Sequence, residues 1–201
     1  MKNQWHKLIV FGVLLFAVLG CSLIGKVKDG IEKSQTPQVL TGTDGKFQLT
    51  VPGNWKTETD LNEEATLQAA NRFSELYVIV IRESKEDFGE TPTIDVVTDI
   101  VRDNLQKTAS DAVLSESVPV NINGYNARQF EASATVQNMK AKYIYGVIET
   151  PQNYYQVITW TLASRYEKGR ETLINVINSF KETGGGNVTF PSPPPPAQKK
   201  K

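Results

Sequence analysis

The sequence predicts an α+β domain in which an antiparallel β-sheet is flanked by helices. Three observations lead to this fold class: short apolar runs at strand spacing, an Asn123-Gly124 turn between two such runs, and two stretches with helical periodicity. Strands joined by tight turns pair antiparallel, and helices segregated to one face or end of such a sheet give an α+β domain. The predicted order of elements is β-β-β-α-β-β-β-β-α.

The first three strands precede the first helix. Asp44-Gly45 is a turn signal, and residues 47–51 alternate between apolar and polar, which predicts a strand. Residues 65–73 are predicted as the second strand. The continuous apolar run of residues 76–81 is rich in β-branched side chains, so it predicts a central strand that is covered on both faces.

The first helix is predicted to begin at Pro92, with Thr91 or Thr93 as its N-cap. Its apolar residues recur at spacings of three and four, which is the pattern of one buried stripe. The residues of this stripe are Ile94, Val97, Val101 and Leu105.

Four strands are predicted after this helix, at residues 112–120, 125–136, 142–149 and 154–162. Successive side chains of a strand point to opposite faces, so we expect one of Tyr154 and Tyr155 to point away from the core. Trp55 and Trp160 are predicted as core aromatics. An outward tyrosine would suit a binding surface, since aromatics are enriched at interfaces.

The last helix is predicted to begin with a capping box over residues 164–167. In this motif the Ser164 hydroxyl bonds the amide of Glu167, and the glutamate side chain reaches back to the serine amide. The buried face of the helix is predicted to consist of Leu173, Ile174, Ile177 and Phe180.

Residues 1–20 have the pattern of an export leader. Lys2 and Lys7 form a positive flank, and the uncharged apolar run of residues 8–19 is too short to span a bilayer. Val18-Leu19-Gly20-Cys21 resembles the bacterial lipoprotein signal. The resemblance implies that the Cys21 thiol receives a diacylglycerol and that the leader is cut just before it. The alternative is that Cys21 is a buried cysteine without a lipid, and that the leader is an ordinary signal peptide or an uncleaved membrane anchor.

The rest of the chain divides into three predicted segments. Residues 21–40 are predicted as a membrane tether, residues 41–183 as the globular domain, and residues 184–201 as a disordered tail rich in glycine and proline that ends in lysines. A lipid at Cys21 would hold the domain on the extracytoplasmic side of a bacterial membrane.

Composition excludes several classes of function. Cleavage before Cys21 would remove His6, the only histidine, and acylation would occupy the only cysteine. Catalysis by Ser-His-Asp or Cys-His groups and zinc sites built on histidine would therefore lack an essential residue. The sequence contains no cluster of basic residues of the kind that binds nucleic acid, so a nucleic-acid partner is not predicted. No cofactor is predicted.

Two acidic runs are candidate metal ligands, because Ca²⁺ and Mn²⁺ favour oxygen ligands. Their spacing matches no EF-hand loop, and basic residues interrupt the first run, so a solvated surface is the favoured interpretation. The first run consists of Glu83, Glu86, Asp87 and Glu90, and the second of Glu58, Asp60, Glu63 and Glu64.

Three segments resemble PsbP-like domains. These are the strand that ends in Pro-x-x-Trp at residues 47–55, the strand at residues 154–160, and the helix end at residues 176–180 that reads Val-Ile-Asn-Ser-Phe. The resemblance implies an αβα sandwich of the superfamily that also includes a nuclear-import factor. Its members are generally non-enzymatic binding or assembly proteins.

The resemblance and the leader together predict a lipid-anchored, non-catalytic binding or assembly factor. Its partners would be the membrane, through the anchor, and a protein complex in that membrane, with a photosynthetic complex as one candidate. Two alternatives stay open: an envelope lipoprotein with carboxylate- or metal-dependent hydrolase activity, and a structural envelope lipoprotein that docks through its Pro-rich tail.

Overall fold

The computed structural model describes residues 36–183, which form eleven strands and two helices. The strands are β1 (Gln38–Thr41), β2 (Phe47–Val51), β3 (Lys56–Thr57), β4 (Leu67–Asn71), β5 (Leu76–Ser84), β6 (Val113–Leu114), β7 (Val118–Ile122), β8 (Tyr125–Val136), β9 (Met139–Glu149), β10 (Asn153–Leu162) and β11 (Lys181–Glu182). The helices are α1 (Ile94–Thr108) and α2 (Tyr166–Asn178). The predicted α+β class is confirmed.

The strands form two antiparallel sheets. The large sheet has the order β3-β4-β5-β10-β9-β8-β6, with β7 also paired to β8, and the small sheet has the order β1-β2-β11. Helix α1 packs on one face of the large sheet against β8 and β9, while α2 packs on the other face against β10, β5 and β9. The small sheet lies on the α2 side, since its apolar side chains share a core with those of α2.

The central strands are buried on both faces because the large sheet has a hydrophobic core on each side. All residues of β10 from Asn153 to Thr161 are buried. Tyr155 belongs to the core on the α2 side and Tyr154 to the core on the α1 side. The prediction that one of these tyrosines points outward is therefore wrong. The predicted burial of Trp55 and Trp160 is confirmed.

Helix α1 begins at Ile94, two residues after the predicted start at Pro92, and its cap is the second of the two predicted cap residues. The Thr93 hydroxyl oxygen accepts a hydrogen bond from the amide of Val96 at 3.4 Å, so Thr93 is the N-cap. All four residues of the predicted apolar stripe are buried against the sheet. The hydroxyl of Thr98, also buried, donates to the carbonyl of Ile94.

The predicted capping box of α2 is wrong. Residues Ala163–Arg165 form a tight 3₁₀ turn between β10 and the helix, and α2 begins only at Tyr166. The residue at the cap position is Arg165, whose backbone is already in a helical conformation and whose side chain makes no cap hydrogen bond. Ser164 therefore lies inside the turn, before the position from which a serine could cap α2.

Other boundaries also differ from the prediction, two of them through a change in the course of the chain. The strand expected at residues 112–120 is divided into β6 and β7, because Ser115 leaves the strand path and bonds Glu131 of β8 through both its amide and its hydroxyl. Strand β1 begins at Gln38, within the predicted tether of residues 21–40.

The large sheet has two distinct ends. The entry end holds Asn71, Leu76 and Leu162, and the exit end holds Glu149 and Asn153. The described chain begins beside the entry end, because the Gln38 side chain donates to the carbonyl of Trp55, which adjoins β3 and β4. It leaves beside the exit end, where Thr183 bonds Gly45 and Lys46.

Candidate functional site

A row of polar side chains crosses the α1 face of the large sheet at its exit end. Strand pairing places Tyr154 between Glu83 and Glu149. The Lys85 ammonium lies 2.8 Å from Glu149 Oε1 and 4.8 Å from the centre of the Tyr154 ring. The Asn126 side chain donates to the other Glu149 oxygen at 3.1 Å. This row, with Gln156 beside it, is termed the exit-end row.

Glu83 is the unusual member of the exit-end row. Its carboxylate accepts a hydrogen bond from Gln156 Nε2 at 2.8 Å, while Lys85 is directed toward Glu149. Burial raises the pKa of Glu83, the hydrogen bond from Gln156 lowers it, and the nearby charge of Asp87 raises it further, with a net upward shift. Carboxyl groups with perturbed pKa values are concentrated at functional sites, so Glu83 marks this row as the candidate site.

The loop of residues 85–93 packs over the exit-end row and connects it to α1. The Phe88 ring meets the Tyr154 ring edge-on at 5.8 Å between centroids, and the Tyr154 hydroxyl donates to the Pro92 carbonyl. Beside the loop, Arg128 of β8 forms a salt bridge of 2.6 Å with Asp95 in the first turn of α1. The loop is therefore held through its aromatic and backbone groups, whereas Glu86, Asp87 and Glu90 are exposed on it.

The geometry of the row suits charge recognition better than carboxylate catalysis. A pair of catalytic carboxylates flanks its substrate across an open site. Here the Tyr154 ring and the Lys85 ammonium occupy the space between Glu83 and Glu149. Each of the two carboxylates is bonded to a neighbouring side chain. The arrangement gives no support to the hydrolase alternative.

Replacing Glu83 with glutamine is expected to stabilise the protein at neutral pH. The folded-state pKa of Glu83 is raised above its ordinary value of 4.5. Its stabilising contribution is therefore full below the ordinary value and is lost as the pH rises through the folded pKa. Thermal unfolding should show a higher Tm for E83Q than for the unsubstituted protein at pH 7 and a smaller difference at pH 4.

The matched control for this prediction is E90Q, because Glu90 is an exposed carboxylate on the same loop. We expect E90Q to leave the Tm unchanged at both pH values. An E83Q protein that is less stable than its parent at pH 7 would contradict the prediction.

A second polar cluster lies on the α2 face of the exit end. Glu182 Oε1 accepts hydrogen bonds from Thr150 Oγ1, Asn153 Nδ2 and the Tyr155 hydroxyl, at 2.9 to 3.0 Å. Burial, and then the adjacent charge of Glu182, raises the pKa of Tyr155, which keeps its hydroxyl as a donor. Arg82 links the same Asn153 to the turn before β2. This cluster fastens β11 to the large sheet.

The two acidic runs, which the sequence offers only as candidate metal ligands, do not assemble a metal site among the described residues. Glu58 and Asp60 both bind Arg72, with contacts of 2.7 to 2.9 Å, so half of the second acidic run belongs to a surface ion-pair cluster. Within residues 36–183, no group of three or more acidic, histidine or cysteine side chains is arranged to hold a metal ion. The predicted lipid attachment residue, Cys21, and the tail of residues 184–201 lie outside the described residues.

Sequence reasoning missed most of the exit-end row. Lys85 and Glu149 are 64 positions apart in the chain, and Glu83 and Gln156 are 73 apart. The available signal was the alternation of strands β5 and β10, which places Glu83, Tyr154 and Gln156 on one face once the pairing is known. The register between the strands cannot be derived from either strand alone.

The α1 face is aromatic at its entry end. The rings of Tyr77 and Trp160 are stacked at 5.2 Å, and those of Tyr143 and Trp160 lie 6.2 Å apart. A small cavity of about 20 Å³ adjoins these rings, and an open depression of about 340 Å³ lies beside it, next to Met139 and Leu162. A cavity as small as the first holds about one water molecule, so it is not a ligand pocket.

None of the helices formed by residues 36–183 combines the length and apolar character needed to cross a bilayer.

Comparison with known proteins identifies a family and a fold. The PsbP family model matches residues 37–182. The solution structure of PsbP (CyanoP) from the cyanobacterium Synechocystis is similar with a TM-score of 0.58 and 13% identity, over 80% of this chain and 99% of that one. The crystal structure of LpqN, involved in cell envelope biogenesis of Mycobacterium tuberculosis, has a TM-score of 0.55 and 12% identity, over 74% of this chain and 91% of that one.

At such low identity these two structures establish the fold alone. No curated protein matches the sequence. The predicted resemblance to PsbP-like domains is confirmed.

Proposed function

Because this chain belongs to the PsbP family, we propose that it is a lipid-anchored, non-catalytic binding or assembly factor for a membrane protein complex. The observation that carries the proposal is the family match over residues 37–182 in a chain that has the sequence Val18-Leu19-Gly20-Cys21 at the predicted cleavage site of its leader. A lipidated Cys21 would place the domain on the extracytoplasmic face of a bacterial membrane.

The covalent geometry of the chain supports action close to that membrane. Residues 22–35 separate Cys21 from the first described residue, and even a fully extended segment of this length reaches no more than about 50 Å. A partner within this distance is met at high effective concentration, since tethering converts its binding into a local event. A membrane complex is the class of partner that such a tether favours.

The two relatives suggest different settings for the same kind of role. One is a cyanobacterial PsbP protein and the other is involved in cell envelope biogenesis. The loop that covers the exit-end row offers a surface for either setting, because it exposes the carboxylates of Glu86, Asp87 and Glu90 while the ion pair of Lys85 with Glu149 holds its first residue in place. Electrostatic complementarity of this kind steers association and selects partners.

The proposal is tested by capture from membranes of the native host. The mature chain should carry acyl groups on Cys21 by mass spectrometry, and chemical crosslinking followed by detergent extraction should recover the same membrane proteins repeatedly. A C21A chain in which a cleavable, non-lipoprotein export leader replaces residues 1–20 cannot be acylated, so it should leave the membrane fraction and lose these partners. An unmodified thiol, or repeated capture without any partner, would refute the proposal.

A chain that ends at Thr183 separates this proposal from docking through the Pro-rich tail. If the folded domain makes the interaction, the shortened chain should recover the same partners as the full chain. Loss of the partners on removal of residues 184–201 would favour the tail-docking alternative.

A further inference from the structure

An exposed aromatic side chain lies at the entry end of the large sheet, where the described chain begins. Gln38 Nε2 donates to the carbonyl of Trp55 at 2.7 Å, and Lys56 pairs with Ala70 of β4. The described chain therefore begins beside the β4–β5 turn. Phe73 is in this turn, and the residue is 74% exposed.

The turn that carries Phe73 is fixed by polar contacts that leave the ring in solvent. Arg165 Nη1 donates to the Phe73 carbonyl at 3.3 Å, and Arg165 Nε lies 2.8 Å from Glu75 Oε2. The Asn71 side chain accepts from the amide of Ser74 at 3.0 Å. These contacts fix the turn while the Phe73 ring stays exposed to solvent. An exposed aromatic ring on an ordered turn is suited to insertion into the apolar region of a membrane.

Apolar and cationic groups continue from Phe73 across the same end. Arg165 directly follows Ser164, which lines the open depression together with Ala163, Met139 and Lys140. Met139 is half-buried, whereas Lys140 and Arg165 are exposed. Aromatic rings with neighbouring Lys and Arg side chains are the composition that favours the interface of a bilayer.

The exit end has the opposite character. On its α1 side the loop of residues 85–93 exposes the carboxylates of Glu86, Asp87 and Glu90, which anionic phospholipid headgroups would repel. The acidic loop at the exit end and the start of the described chain beside the entry end therefore favour the same orientation, with the entry end toward the membrane.

We propose that Phe73, with the Met139–Lys140 segment and Arg165, forms a surface that rests on the phospholipid bilayer. The Phe73 ring lies at the level of the headgroups, and the exit end, with the loop of residues 85–93, faces away from the membrane toward a partner. This inference rests on the proposed lipid anchor at Cys21, since the anchor brings the surface to the bilayer.

The experiment uses the full mature lipoprotein in vesicles of phosphatidylethanolamine and phosphatidylglycerol. Acylation leaves no free thiol, so a single added cysteine can carry an environment-sensitive fluorophore. S164C places the label at the entry end and leaves Phe73 intact, while E90C places it on the exposed loop at the exit end. Lipids that carry a nitroxide in the acyl chain then quench any label that is close to the bilayer.

We expect strong quenching of the label at position 164 and none at position 90, relative to vesicles without nitroxide. Adding F73S to the S164C protein should reduce the quenching while the circular dichroism spectrum stays unchanged. Unquenched labels at both positions, or equal quenching at both, in a protein that co-floats with the vesicles would overturn the orientation but not the anchor. Failure to co-float, with an unmodified Cys21, would overturn both.

Discussion

Replacing Phe47 with alanine is expected to lower the free energy of unfolding by about 3–5 kcal/mol, which is typical for a buried phenylalanine. The Phe47 side chain is fully buried. Its ring centroid lies 5.3 Å from that of Tyr155 and 5.8 Å from that of Phe180. It thus joins the small sheet to the large sheet and to the segment after α2, and three elements lose contacts when it is removed.

This loss is measured by urea unfolding of a chain without residues 1–20. The fluorescence of Trp55 and Trp160 reports the unfolding. F73A provides a control with the same chemical change, because Phe73 is mostly exposed. We expect F73A to change stability by no more than about 0.5 kcal/mol. Similar losses for F47A and F73A would show that Phe47 does not have the structural role described.

Replacing Glu182 with alanine is expected to destabilise the exit end by about 1–3 kcal/mol, the usual cost of leaving a buried polar group without its partner. Three side-chain donors converge on Glu182 Oε1, from Thr150, Asn153 and Tyr155. Because Thr150 and Asn153 are buried, water does not readily replace the lost acceptor. The substitution should release β11 from the small sheet before the rest of the domain unfolds.

Hydrogen exchange of the amides in β11 and β2 measures the local release of β11. Urea unfolding measures the change in global stability. E182Q is the matched control, since its amide oxygen can still accept from the same donors. We expect E182Q to keep most of the protection that E182A loses. Equal protection of β11 in E182A and in the unsubstituted protein would contradict this role of the carboxylate.

The elements that the sequence predicted best are those whose pattern is local. The α1 stripe and the central strand at residues 76–81 follow from periodicity within one segment, and both are confirmed. The capping box failed because a 3₁₀ turn displaced the start of α2, which depends on how β10 meets the helix. The outward tyrosine failed because the alternation rule assumes one solvated face, and this sheet has none at β10.

The polar clusters could not be predicted, for a related reason. No sequence pattern distinguishes Glu182, because its hydrogen-bond partners are 27 to 32 positions earlier in the chain. Arg82 meets Asp44 and Asn153 only after three separate segments have come together. The resemblance to PsbP-like domains identified the fold, whereas the arrangement of these side chains depends on register and on loop geometry.

The burial of β10 from Asn153 to Thr161 has a consequence for how this domain can diversify. These residues offer no surface to another molecule, so recognition is left to the loops, the two ends of the sheet, its edge strands and the exposed helix faces. Substitutions there can alter specificity while the central strand stays the same. The scaffold and its recognition surface can thus evolve almost independently.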